Sequence, residues 1–144
     1  MDNNLITFYK GEIIFLEGQT SSCAYIIDSG FVGVYREDSS GNRSLVRKLG
    51  KNDMFGEMGL IDKYPRSATT IALQDTRCTI IERSRFNYLA KFNPHFMTAL
   101  IKSLTEKLRS TIINLNKIAP ANKSNPSDKT TLSGFFQNKR RIEK

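Results

Sequence analysis

Between residues 10 and 82 the chain is a succession of short apolar runs cut by turn residues, and few folds accept that rhythm. The runs are GEIIFLEG, AYIIDSG, FVGVYRED, SLVRKLG, TTIAL and CTIIE, all rich in β-branched or aromatic side chains. Between them stand EGQTSS, DSG, DSSGN, GKND and QDT. Runs this short suit a pleated strand better than an amphipathic helix, and their regular spacing predicts an all-β barrel, sandwich or roll. FVGVY alternates, which places Val32 and Val34 on one face and Phe31 and Tyr35 on the other. Gly30 and Gly33 leave room for a bulge or a close backbone approach, and DSSGN (38–42) reads as a hairpin tip.

After residue 82 the period changes. Ser84 is placed to cap a short helix, RFNYLAKF, that ends before Asn93-Pro94. Asn93 suits an N-cap and Pro94 a first helical residue, so a long helix is expected from about 94 to about 118, stopped by Pro120. Met97, Ile101, Leu104, Leu108, Thr111, Leu115 and Ile118 follow one another at alternating spacings of 4 and 3. That is a heptad seam, and it predicts a parallel coiled-coil homodimer. Leu100 and Ile112 widen the stripe towards the domain's own sheet. Thr111 is the one polar residue of the seam, and a hydroxyl there needs a partner.

The chemistry of the side chains narrows the function. His95 is the single histidine and sits at a helix start, where a solvated ring is expected; with no Cys/His cluster at ligand spacing, no metal and no cofactor are expected. No nucleophile–base pair is visible either, so the chain is expected not to be an enzyme. Cys23 and Cys78 lie in separate strand-like runs and are expected as free thiols. The start carries charged and turn residues too early for a signal peptide, and no apolar run approaches the roughly 20 residues of a membrane helix, so a cytoplasmic protein is expected. The formal net charge is +8, unevenly spread: residues 119–144 hold 6 basic and 2 acidic side chains. This asymmetry marks residues 119–144 as a basic tail, expected to be mostly disordered, and residues 1–118 as the folded domain. Within that tail GFFQNKRR sets two aromatics beside basic residues, and an alternative function is docking to a partner or a nucleic acid through it, with Glu57 and Arg66 then forming only a structural ion pair in a polar loop. Its 26 residues fall short of a DNA-reading domain with its own core, so sequence-specific DNA binding is not expected.

One stretch remains, FGEMGLIDKYPRSATT at 55–70, where Glu57 and Arg66 stand nine residues apart among Gly56, Gly59, Ser67 and Ala68. These residue types suit a cyclic phosphodiester. Arginine offers a planar fork to two phosphate oxygens. A helical turn starting near Gly56 would aim free N–H groups at the same anion. Gly59 permits close approach, Ser67 can donate a hydroxyl, and the Glu57 carboxylate can accept from a ribose 2′-hydroxyl.

The stretch resembles the phosphate-binding cassette of cyclic nucleotide-binding domains. The family pattern stands here as Phe55-Gly56-Glu57, Met58-Gly59-Leu60, a short loop, then Pro65-Arg66-Ser67-Ala68-Thr69. The resemblance extends over about residues 8–118. It implies a mainly β fold with flanking helices, an eight-stranded β-roll followed by the long helix. It implies that Arg66 pairs with the cyclic phosphate, that Glu57 holds the 2′-hydroxyl, and that Gly56, Met58 and Gly59 lend backbone groups. Ser67 stands where bacterial activators of the family often have serine, which leans towards cAMP over cGMP as ligand. By the same resemblance Val34 and Val46 wall the purine, Arg47 reaches its edge, and Thr111 accepts from the purine amino group. The expected output is repositioning of the long helix towards a partner protein.

Overall fold

The computed structural model describes residues 4–118; the tail at 119–144 lies outside the described residues. The chain divides into two compact units at Leu104, within the long helix. The first unit carries eight strands: β1 (Leu5–Phe8), β2 (Ile13–Phe15), β3 (Cys23–Ser29), β4 (Val32–Glu37), β5 (Arg43–Leu49), β6 (Met54–Phe55), β7 (Thr69–Ala72) and β8 (Thr76–Glu82). They form two four-stranded antiparallel sheets, in the orders β1-β8-β3-β6 and β2-β7-β4-β5. The six runs expected from sequence all form strands. β1 and the two-residue β6 are additional, and both pair in the first sheet.

Burial follows from what lies on each side of a strand. In β3 Tyr25 and Ile27 face the second sheet, in a core with Phe8, Phe15, Val32, Leu49, Phe55, Ala72 and Cys78. Ala24 of the same strand faces the other way, into a second cluster with Met54, Leu60, Ile81, Phe86 and Leu100. A strand covered on both faces needs an unbroken apolar run, which is what AYII supplies. β4 lies at the expected alternation: Val32 is in the core and Val34 packs against it, while Phe31 just ahead of the strand is exposed beneath the Lys48 ammonium, 4.3 Å from the ring centre.

Three helices accompany the strands: α1 (Met58–Asp62) between β6 and β7, then α2 (Arg83–Phe92) and α3 (Pro94–Ile118) after β8. α3 starts as expected. Asn93 Oδ1 accepts the Phe96 N–H at 3.0 Å and Pro94 is the first helical residue. Ser84 does not cap α2. β8 runs straight into that helix, so the cap position falls on Glu82, the last residue of the strand, and Ser84 sits inside the first turn. The apolar stripe of α3 is used unevenly. Leu100 is buried, and Met97 and Leu104 pack on the second cluster. Ile101, Leu108, Ile112 and Leu115 are exposed, so Ile112 lacks the burial expected of it. Ile118 carries no described side chain. Among the described residues no helix is long and apolar enough to cross a membrane.

Both cysteines are free. Burial in the core pushes the Cys78 thiol from its ordinary 9.0 up to about 12, with the Asp28 carboxylate adding to the shift. Below pH 9 the thiol is protonated in folded and unfolded chains alike. Between about pH 9 and 12 only the unfolded chain releases the proton, so folding stability falls as pH rises. Urea unfolding at pH 8 and pH 10.5 should show this loss in the wild type and a smaller one in Cys78→Val; equal slopes in the two proteins would mean that Cys78 titrates normally.

Candidate functional site

The Pro-Arg segment returns the chain from α1 to β7, and Arg66 is tied there by its backbone first. Its N–H donates to the Gln19 carbonyl and its carbonyl accepts from the Gly18 N–H, both at 2.8 Å. The turn after β2 and the start of the 66–69 segment therefore hold each other. The side chain then runs inward and is 7% exposed, low for a cation. Nη1 donates to the Gly56 carbonyl at 2.8 Å and Nη2 to the Cys23 carbonyl at 2.9 Å. The guanidinium carbon lies 3.9 Å over the Phe15 ring. Nε is buried and has no partner.

Phe15 is itself fixed. It stacks on Tyr25 at 6.3 Å and meets Phe55 at 6.0 Å, and Tyr25 stacks on Phe55 at 5.1 Å. Burial pushes the Tyr25 phenol well above its ordinary value; a hydrogen bond and the charge of Cys23 add to this, and Arg66 opposes it. The phenol thus stays neutral at any ordinary pH. The platform under the guanidinium is an uncharged aromatic cluster, and a cation over such a ring is attracted by its face.

The acid comes from the other side of the cassette. Glu57 sits at the N-cap of α1 and is 1% exposed. Its carbonyl accepts the Leu60 N–H at 3.0 Å and the Ile61 N–H at 3.3 Å. Met58 and Gly59 open the helix, and N–H groups of a first turn have no acceptor within it. Gly59 is buried against Ser21 and the Tyr64 carbonyl, where a Cβ would overlap both. Ser21 in turn accepts from Arg83 Nη2 at 2.8 Å through its carbonyl, while its buried hydroxyl has no partner. Gly56 has φ +80. A Cβ on it would stand 2.6 Å from Arg66 Nη1.

Of the residues singled out from sequence, Gly56 and Arg66 are brought into contact; Glu57, Met58, Gly59 and Ser67 lie on the same 55–69 segment, with Met58 and Ser67 exposed. Val34, Val46 and Arg47 form a second group. The β4–β5 register passes from Val34–Arg47 to Tyr35–Leu45, so Val46 is the extra residue of a bulge and stands with Arg47 against Val34. Thr111 belongs to the second unit, where its hydroxyl donates to the Lys107 carbonyl at 2.8 Å. Sequence alone missed Phe15, Cys23 and Ser21. The first is one apolar residue among many in a strand, the second contributes only a carbonyl, and the third packs by its small size.

The chain is matched over residues 5–93 by the family model described as "Cyclic nucleotide-binding domain". It is 30% identical over 110 residues to the CRP-like cAMP-activated global transcriptional regulator of Mycobacterium tuberculosis, a match covering 76% of this chain and 49% of that protein. It is 37% identical over 87 residues to the cAMP-dependent protein kinase regulatory subunit of Dictyostelium discoideum, covering 58% of this chain and 27% of the relative. The crystal structure of the Thermus thermophilus catabolite activator protein superposes with a TM-score of 0.71 at 28% identity, over 80% of this chain and 54% of that one. The chain thus spans about half the length of the two bacterial regulators.

The positive φ of Gly56 and its contact with Arg66 can be separated. Gly41 has φ +84 with open space where a Cβ would go. Alanine at either position carries the left-handed penalty of roughly 1–2 kcal/mol. Gly56→Ala should cost more than Gly41→Ala in urea unfolding, because Arg66 must also move; equal costs would show that the guanidinium does not press on this turn.

Proposed function

The chain belongs to the cyclic nucleotide-binding domain family, and on that premise we propose that it is a non-catalytic, cytoplasmic sensor of a 3′,5′-cyclic mononucleotide, cAMP before cGMP. The observation that carries the reading is the Arg66 guanidinium. Burying a cation is unfavourable unless its N–H groups are satisfied. Here two backbone carbonyls and an aromatic face fix the plane of the group, and the Nε–H edge is left buried without an acceptor. An anion with two oxygens at fork spacing completes such a donor set. The first-turn N–H groups of α1 lie on the same segment, and their helix end favours the same charge. Glu57 supplies the acceptor that a ribose 2′-hydroxyl needs.

Preference for cAMP is supported by Ser67 at its place after the arginine and by two relatives named as cAMP-activated and cAMP-dependent. Val34, Val46 and Arg47 are neighbours across β4 and β5, and on this reading they would wall the purine. Thr111 would accept from the adenine amino group. Its own proton goes to the Lys107 carbonyl, which leaves the lone pairs of the oxygen for a donor.

Calorimetry with cAMP and cGMP tests the reading. Arg66→Ala should weaken binding by at least about 1.5–3 kcal/mol, the worth of a hydrogen bond to a charged group. Arg66→Lys should also lose affinity, because an ammonium cannot reproduce the fork. Millimolar affinity of the wild-type protein for both nucleotides would sink the proposal.

The same reading includes a parallel homodimer through α3, which would carry the signal to a partner protein by a change in helix position. Its support is the heptad seam together with Leu108 at 61% and Leu115 at 59% exposure, high values for leucines on one helix. Leu104 is a poor probe, because it packs on the domain's own core. Leu108→Asp with Leu115→Asp should give a monomer that keeps its strand signal in circular dichroism. Light scattering that finds the wild type monomeric, with and without cAMP, would remove the dimer.

A further inference from the structure

We infer that Thr70 is a further ligand-binding residue, whose hydroxyl donates to an ether or ester oxygen of the cyclic ribose phosphate; the inference rests on the cyclic-nucleotide reading of the site. Thr70 is 2% exposed and its Oγ1 has no hydrogen-bond partner. A buried hydroxyl left unsatisfied costs stability. The fold does not treat its other buried threonines this way. Thr69 Oγ1 accepts the Glu17 N–H at 3.0 Å, and Thr76 Oγ1 lies 2.8 Å from the Gln74 carbonyl and accepts the Phe31 N–H at 3.2 Å.

The register says where the Thr70 hydroxyl sits. Thr70 is opposite Val34 on one side and Phe15 on the other, and Val34 is opposite Arg47. Residues directly opposed across strands share a face. Phe15 is in the inter-sheet core and Val34 packs against it, so Thr70 faces inward between them. The row across the sheet is Arg47, Val34, Thr70, Phe15, and the Arg66 guanidinium lies on the Phe15 ring. Neighbouring strands are about 4.8 Å apart. Thr70 is therefore one strand from the residue beneath the phosphate-pairing cation and one strand from the valine set for the purine. In a cyclic nucleotide the sugar lies between phosphate and base. Ala72 of β7 and Ala68 just before the strand, two residues to either side of Thr70, are too small to crowd the hydroxyl. The sugar's ring oxygen and the ester oxygens of the cyclic phosphate are acceptors, common to cAMP and cGMP, and a threonine hydroxyl is a donor suited to them.

The experiment uses the full chain and two readouts, calorimetric affinity for cAMP and cGMP and urea unfolding without added nucleotide. Thr70→Val keeps the shape and deletes the hydroxyl; Thr70→Ser keeps the hydroxyl. Thr70→Val should lose about five- to tenfold in affinity for both nucleotides alike, while unfolding at higher urea than the wild type, since an unsatisfied buried group is gone. Thr70→Ser should bind like the wild type. Weaker binding beside a more stable fold is a pair of opposite signs that packing damage does not produce. Unchanged affinity of Thr70→Val would overturn the inference and leave the parent reading intact, because the wild type still binds. So would a loss confined to one purine, which would make Thr70 a base contact, or a loss accompanied by lower stability, which would make it a packing residue. A wild type that binds neither nucleotide would remove both readings together.

Discussion

A guanidinium that is almost entirely buried needs support from its surroundings, and much of the first unit is arranged around holding Arg66. Moving a cation out of water costs several kcal/mol. Two hydrogen bonds from a charged group, each worth about 1.5–3 kcal/mol, and a ring face worth about 0.5–2 kcal/mol offset a large part of it. Each of these supports constrains another part of the chain. The Gly56 carbonyl turns towards Nη1 through a positive φ, and a side chain there would meet the same nitrogen. The Cys23 carbonyl is available at the first residue of β3. Phe15 needs its ring plane fixed, and Tyr25 and Phe55 fix it. The backbone exchange between Arg66 and the 18–19 turn fixes the origin of the side chain.

This arrangement explains how much could be read in advance. Glu57, Arg66 and the small residues between them are legible because their chemistry is in their side chains. The supports are not, because a carbonyl acceptor has no residue signature: Cys23 serves through an atom that every residue owns. Phe15 and Thr70 were hidden for a different reason. Strand pattern identifies a face, but only the pairing register shows that these two are neighbours and that Val34 comes next. β6 is two residues long and carries no period of its own, so its pairing with Tyr25 and Ile26 was invisible. The Asn93 cap, by contrast, is local chemistry and was legible to the residue. Ser84 failed as a cap because strand and helix join without a connecting residue, and the cap is then set by where pairing to β3 ends.

The long helix shows the limit of periodicity. A heptad stripe states that a helix has an apolar side, and it does not state how many surfaces share that side. Met97, Leu100 and Leu104 are taken by the second cluster, whereas Leu108 and Leu115 are exposed. A one-residue step in sequence, from Leu100 to Ile101, takes the chain from buried to exposed, as a 3.6-residue period requires.

That second cluster joins the segment after Glu57 to the helices by packing. α1 follows directly from Glu57, and its two faces have different neighbours. Gly59 lies on Ser21, whose carbonyl binds Arg83 at the head of α2. Leu60, the next residue, is buried with Phe86 of α2 and Leu100 of α3, and Phe86 meets Phe96 edge to face at 5.5 Å. α1 is therefore in contact with both helices through one hydrogen-bonded link and one close-packed cluster. Interiors packed at crystal density transmit small displacements because no free volume absorbs them. An anion that draws the first-turn N–H groups of α1 towards Arg66 would have to carry Leu60 with it. Leu60 cannot move alone without opening a void beside Phe86 and Leu100, and a void of even a methylene is unfavourable. The physical content of the sensor proposal is thus a competition between an electrostatic pull on one side of a five-residue helix and the packing of a single leucine on the other.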